Sequence, residues 1–299
     1  MSTDVSQPRP TAAQWLAGAR PRTLPAAVSP VLAGTGVAAW ADGFAPVQAV
    51  LALVVSLALQ IGVNYANDYS DGVRGTDANR VGPLRLVGSG LAAPATVKAA
   101  AFASFALAAL AGLTLVVLCQ LWWLLIVGLA CILAAWYYTG GKHPYGYHGL
   151  GEVFVFIFFG LVAVSGTVLV QLGRIPWQTW PVAIGIGAIA CSILVANNLR
   201  DLRGDRTVGK RTLATRLGDT GTRWFYFALV AAAAAALVLV AATTSWWALL
   251  GLGGIAMLVP AVRTVLGNAQ GPALIAVLKA SGTAELAYAF GLAVGLFLG

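Results

Sequence analysis

The chain has 299 residues, 59% of them hydrophobic and only 9% charged, with a formal net charge of +8. Those proportions exclude an ordinary soluble domain and place the chain among proteins whose solvent is lipid. The positive balance does not argue for nucleic acid, because basic residues in a membrane protein first report orientation.

A spanning helix needs about 20 mostly apolar residues. In chain order such runs occur at 24–41, 46–66, 96–118, 121–139, 151–172, 178–199, 224–243, 245–262 and 281–298. The pattern predicts an all-α polytopic membrane protein of nine transmembrane helices, with residues 1–19 as a tail and 20–299 as a single transmembrane domain. The opening "MSTDVSQPRPTAAQWLAGAR" is polar and lacks the apolar core of a cleavable signal, so the first span is expected to be retained. Of the 18 Lys and Arg, all but Arg174 fall on one side if the N-terminus is cytoplasmic. The positive-inside rule therefore supports nine spans with a cytoplasmic N-terminus and the C-terminus outside, and the expected location is the cell inner membrane.

The second run ends in "NYANDYSDGVRGTD", Asn64 to Asp77, and the sixth in "NNLRDLRGDRTVGKRTLATRLGD", Asn197 to Asp219. Asp68, Asp71 and Asp77 thus follow one span and Asp201 and Asp205 another, both on the predicted cytoplasmic side. If the helices continue through these segments, Asp201 and Asp205 share a face, as do Asn67 and Asp71, and Asn64 and Asp68. Two carboxylates on one helical face repel unless a cation neutralises them, and hard oxygen ligands suit Mg²⁺ bridged to phosphate. Arg20, Arg22, Arg74, Arg80, Arg85, Lys142, Arg200, Arg206, Lys210 and Arg211 share that side and supply charge enough to meet a diphosphate.

Between the clusters, "YYTGGKHPYGYHGLGE" is rich in Gly and Tyr, sets Tyr138 and Lys142 four apart, and reads as a lid. His143 and His148 have no partners at metal-ligand spacing. Glu152 suits a cap on the following span and equally a catalytic role. Glu285 lies inside the last span, where an acid is a functional candidate by default, with Lys279 as an ion-pair partner in the alternative. Cys119, Cys131 and Cys191 sit in apolar segments without redox or metal spacing and read as packing residues.

At these residues the sequence resembles the UbiA superfamily of intramembrane aromatic prenyltransferases. "ARPRTLPAAVSPVLAGT", "NYANDYSDGVRGTDANRVGPLRLVGSG", "YYTGGKHPYGYHGLGEVFVFIFFG" and "NNLRDLRGDRTVGKRTLATRLGD" look most like its 1,4-dihydroxy-2-naphthoate branch. The general first motif, Asn-x-x-x-Asp-x-x-x-Asp, aligns Asn67 and Asp71 but meets Gly75 at its third position, and Asp77 is the displaced acid in the reading the resemblance implies.

The resemblance implies a UbiA-like bundle around an intramembrane cavity, and transfer of a polyprenyl group from polyprenyl diphosphate to 1,4-dihydroxy-2-naphthoate with loss of CO₂. It implies Mg²⁺ on Asn67, Asp68, Asp71, Asp77, Asp201 and Asp205, with Asn64 and Asn198 supporting. Lys142, Arg206 and Lys210 are then the phosphate contacts, Tyr138 lines the substrate, and Arg22 and Arg85 meet either the diphosphate or the naphthoate carboxylate. No general base is evident. The rival readings are another acceptor such as 4-hydroxybenzoate, or a cation-coupled transporter. The Asp-Gly-x-x-Ala-Arg signature of CDP-lipid transferases is absent from "DGVRGTD".

Overall fold

The computed structural model describes residues 10–75, 84–142, 144–207 and 209–299, and among them there are helices and turns but no strands. Helix α1, Ala12–Gly18, opens with a capping box in which Thr11 and Gln14 exchange side-chain and backbone hydrogen bonds. A single tight turn over Pro21–Thr23 leads to α2, Pro25–Trp40, and the chain bends there by 51°. The bend follows from two prolines that cannot continue a helix ladder and from Arg20, which takes a left-handed conformation ahead of them.

Then come α3 (Pro46–Arg74), α4 (Pro94–Cys119), α5 (Leu124–Tyr137), α6 (Gly151–Leu172), α7 (Thr179–Thr207), α8 (Leu213–Thr243), α9 (Trp246–Leu266) and α10 (Pro272–Leu298). Seven of these, α3, α4 and α6 to α10, are long and apolar enough to cross a bilayer, and the bent pair α1–α2 makes an eighth. Helix α5 has 14 residues, about 21 Å at 1.5 Å per residue, short of the roughly 30 Å hydrocarbon core. All nine apolar runs are thus helical among the described residues. The protein is an integral membrane helix bundle.

The helices outrun the expected spans where the sequence turns polar. Helices α3 and α7 have 29 residues each, about 43 Å, and so exceed the hydrocarbon core by roughly two and a half turns. Those surplus turns are Asn64 to Arg74 and Asn197 to Thr207, the segments that carry the acids. Neither contains proline, and α3 stops only at Gly75, whose φ of 72° puts it in the left-handed region favoured by glycine. Residues 213–223 and 272–280, expected as loop, are likewise helical, the former except for a kink at Gly218 (φ 73°, ψ −179°) and the latter started by Pro272 at the first helical position.

Helix α3 packs chiefly on α4, α7 on α8, and α10 on α2 and α9. One apolar cluster gathers α2 and α6 to α10 around Ile186, Ile189, Leu237, Leu258, Tyr288 and Leu292, and a smaller one gathers α1, α3, α4 and α5 around Tyr65, Leu86, Val97 and Phe105. The first acidic motif belongs to the smaller cluster and the second to the larger. Helix α6 is a π-helix over Phe156–Val162, and Gly160 there approaches α7 so closely that a Cβ would lie 2.7 Å from Gly187 Cα.

Candidate active site

At the end of α3, Asn64, Asn67, Asp68 and Asp71 are all buried. Their helical spacing sends them to different partners. Asn64 Nδ2 donates to the Ala19 carbonyl and to Thr23 Oγ1, both at 2.9 Å, tying the bent N-terminal segment to α3. One turn on, the Asp68 carboxylate accepts the backbone N–H groups of Leu86 (2.7 Å) and Val87 (3.1 Å). Asn67 and Asp71 face the α5–α6 loop instead: Thr139 Oγ1 donates to Asn67 Oδ1 at 2.6 Å, and the Tyr147 hydroxyl donates to Asp71 Oδ1 at 2.8 Å. Arg85, itself buried, brings Nη2 to 3.4 Å from Asp71 Oδ2.

The second motif rides on the last turns of α7. Arg200 grips Asp201 through Nε (2.7 Å) and Nη2 (2.6 Å), and its Nη2 also donates to Asn197 Oδ1 at 2.9 Å. Asp205 Oδ1 lies 3.8 Å from Lys210 Nζ, and the Lys210 amide donates to the Asp205 carbonyl at 2.9 Å, so the turn after α7 folds back on its own acid. Asn198 Nδ2 donates to Glu152 Oε1 at 2.8 Å.

The two motifs meet through Tyr147. Its hydroxyl holds Asp71, its ring carries the Lys210 ammonium 4.4 Å from the centroid with the Arg74 guanidinium at 5.7 Å, and its carbonyl accepts the Arg211 amide at 3.1 Å. The chain Asp71–Tyr147–Lys210–Asp205 therefore spans from α3 to α7. Arg74 also donates to the Thr139 and Gly141 carbonyls, and Arg216 Nη2 donates to the His148 carbonyl at 2.9 Å, so bases from both motif regions pin the loop.

Three expected basic contacts lie elsewhere. Lys142 is exposed on the loop, and Arg22 is exposed in the Pro21–Thr23 turn. Arg206 is exposed and leans towards α8, where its Nη2 would be 3.9 Å from a Cβ on Gly218. Arg20, not Arg22, is the partly buried base of that segment, and its charge acts on the Tyr138 phenol. That phenol is pushed above its ordinary range, by burial first and then by the nearby Glu152 and Asp71 carboxylates. Tyr145 is also pushed up by burial; its hydroxyl donates to the Ala134 carbonyl at 2.8 Å.

Asp77, Arg80 and His143 lie outside the described residues. Glu285 does not pair with Lys279: it is fully buried, and neither of its carboxyl oxygens has a hydrogen-bond partner among the described residues. Tyr147 and Thr139 are the contributors that the sequence did not single out, and Arg20 was named only as one base among those of that side. Nothing in "PYGYHG" separates Tyr147 from Tyr145, since both are tyrosines of one turn and only the fold decides which faces Asp71.

Among the described residues no three of His, Cys, Asp and Glu converge as a metal cage. The available donors, Asn67, Asp71, Asp201 and Asp205, are hard oxygens in sparse groups. That set fits Mg²⁺, which takes one or two carboxylates and completes its shell with water and substrate phosphate.

The fold and this site define an integral membrane helix bundle that concentrates acids and bases at the surplus turns of two spanning helices, linked through Tyr147 and Lys210. The chain belongs to the UbiA prenyltransferase family, whose sequence profile matches residues 27–296. It is 52% identical over 287 residues, 96% of this chain and 98% of the relative, to the 1,4-dihydroxy-2-naphthoate octaprenyltransferase of Mycobacterium tuberculosis. Its fold is similar to the apo structure of a UbiA homolog from Aeropyrum pernix, with TM-score 0.66, 18% identity, and 91% and 97% of the two chains covered. It is also similar to an Archaeoglobus fulgidus UbiA homolog bound to GPP and Mg²⁺, with TM-score 0.63, 14% identity, and coverage of 94% and 99%.

Proposed function

We propose that this protein transfers a polyprenyl group from polyprenyl diphosphate to 1,4-dihydroxy-2-naphthoate, releasing diphosphate and CO₂ and giving demethylmenaquinol for menaquinone biosynthesis. It works in the inner membrane, with its N-terminus and the acid-bearing helix ends on the cytoplasmic side. The observation that carries the reading is the link Asp71–Tyr147–Lys210–Asp205, which makes one anion-binding site of two motifs far apart in sequence. The extensive identity to the mycobacterial naphthoate enzyme supports the choice of acceptor.

Asn67 and Asp71 from α3 and Asp201 and Asp205 from α7 would hold Mg²⁺, with Asp77 as the displaced third acid of the first motif. When bound, the metal supplies positive charge against the diphosphate as negative charge builds on the leaving group. Lys210 and Arg85 stand beside the acids and bind the same phosphates, and the exposed Lys142 and Arg206 add positive charge around the site. Asp68, with both oxygens taken by the Leu86 and Val87 amides, acts by fixing the turn that presents Arg85. Asn64 fixes the bent N-terminal segment, which turns Arg20 inward and leaves Arg22 exposed.

Ionisation leaves an allylic cation that water would quench. Tyr138 meets Tyr145 edge-on at 5.5 Å, Tyr145 stacks on Phe154 at 3.9 Å, and Phe154 on Phe158 at 5.9 Å, a run of rings descending from the loop into α6. These rings exclude water and offer their negative faces to the cation. The test is incubation of detergent-solubilised protein with 1,4-dihydroxy-2-naphthoate, labelled polyprenyl diphosphate and Mg²⁺. A prenylated, CO₂-depleted naphthoquinol is expected. Transfer to 4-hydroxybenzoate alone, or Asp71-dependent ion flux without transfer, would overturn the reading.

A further inference from the structure

We propose that Glu152 carries the proton of the acceptor's 1-hydroxyl during prenyl transfer, an inference that rests on the function proposed above. Glu152 is buried at the start of α6. Asn198 accounts for Oε1, whereas Oε2 is fully buried with no hydrogen-bond partner among the described residues. A capping role leaves that oxygen unused, and a buried acceptor without a donor is costly unless a ligand brings one.

The position suits an aromatic acceptor. Asn198 precedes Asp201 by one helical turn, so Glu152 meets α7 just beneath the acids proposed to hold the head group. The Tyr138 hydroxyl stands beside the start of α6, 3.7 Å from where a Cβ on Gly151 would sit, next to Glu152 in the chain. Phe154, two residues along α6, stacks on Tyr145 and Phe158, so the same helix start carries aromatic rings.

The chemistry balances without any further reagent. Oε2 takes the proton from the 1-hydroxyl, and the freed electron pair on that oxygen pushes through C1 so that C2, the carbon bearing the carboxylate, attacks the allylic carbon. The allylic carbon is the cation left when its bond to oxygen breaks with the pair leaving on diphosphate. The result is a 1-keto-2-carboxylate, a β-keto acid whose C2–carboxylate bond breaks readily as CO₂ departs. The electron pair returns through C2 to the C1 oxygen, which takes its proton back from Glu152. Glu152 ends as it began, and no proton is exchanged with the cytoplasm.

The test uses the full-length protein in detergent with a pair of acceptors and a pair of variants. Glu152→Gln keeps an oxygen for Asn198 but cannot take a proton. It is expected to bind a non-hydrolysable prenyl thiolodiphosphate as the unsubstituted protein does, with an unchanged KM for polyprenyl diphosphate, while kcat falls on the order of a hundredfold. Glu152→Asp should recover part of that loss.

Independently of any variant, the unsubstituted protein should prenylate the 4-methoxy analogue of the acceptor and leave the 1-methoxy analogue untouched. Equal turnover of the two analogues, or near-normal kcat in Glu152→Gln, overturns the proposal while leaving the prenyltransferase reading intact. Failure of the unsubstituted protein to act on the parent naphthoate overturns both.

Discussion

The Tyr147 hydroxyl donates to Asp71 Oδ1 at 2.8 Å while the Tyr147 ring supports the Lys210 ammonium at 4.4 Å. One side chain therefore serves the acid of one motif and the base of the other. Tyr147→Phe removes the hydrogen bond and keeps the ring, and a hydrogen bond to a charged group contributes about 1.5–3 kcal/mol, so kcat/KM should fall at least roughly tenfold. Tyr147→Ala removes both contacts and should cost more. Steady-state kinetics on the two variants measures the difference; equal losses would mean that the hydroxyl alone matters.

Asp68 and Asp71 are one turn apart yet are predicted to fail differently. Asp68→Asn leaves a single carbonyl oxygen for two buried backbone amides, and an unsatisfied buried donor costs about 1–3 kcal/mol. The variant should lose thermal stability in detergent, with an activity loss that follows from a misplaced Arg85. Asp71→Asn keeps an oxygen for the Tyr147 hydroxyl and weakens only the 3.4 Å contact with Arg85, so it should lose less stability than Asp68→Asn while losing activity outright. Thermal unfolding of both proteins checks this, and a Tm order opposite to the one stated refutes the assignment.

How much of this was visible beforehand depended on the residue. The all-α membrane fold and the two acidic helix ends were legible because lipid makes apolar runs obligatory and acids at their ends costly. The division of labour between Asp68 and Asp71 was not, since both end a helix among the same neighbours, and only the 84–90 turn decides which is enclosed by amides. Arg20 and Arg22 flank one proline; a left-handed backbone at Arg20 turns it inward while Arg22 stays exposed. The helical turns on either side of the Gly218 kink are not legible from polarity, which loops and exposed helix ends share; what starts them is Thr212 accepting from the Thr215 amide.

Glu285 bears on stability rather than chemistry. Both its carboxyl oxygens are buried without a hydrogen-bond partner among the described residues, in a helix packed on α2 and α9. Replacing a buried unpaired polar group by an apolar one of similar size relieves its desolvation, so Glu285→Leu should stabilise the protein by about 1–3 kcal/mol and leave transfer unchanged. A lowered Tm, or lost activity at normal stability, would show that Glu285 has a role this account does not give it.

Removing the metal should separate the two substrates. Chelation of Mg²⁺ is expected to abolish binding of polyprenyl diphosphate, whose charge the acids alone repel, and to leave naphthoate binding within about a factor of three. Calorimetric titration of each ligand with and without chelator reads this directly, and metal-independent binding of the diphosphate would remove the acids from the head-group site.

The claim on which the rest depends is that α3 and α7 present a single site. A double-mutant cycle on Asp71→Asn and Asp205→Asn, read as Mg²⁺-dependent affinity for a non-hydrolysable prenyl thiolodiphosphate, measures it. The two substitutions should be coupled by at least about 1 kcal/mol, because both act on one head group. Losses that add to within about 0.3–0.5 kcal/mol would place the two acids in separate sites and contradict the account.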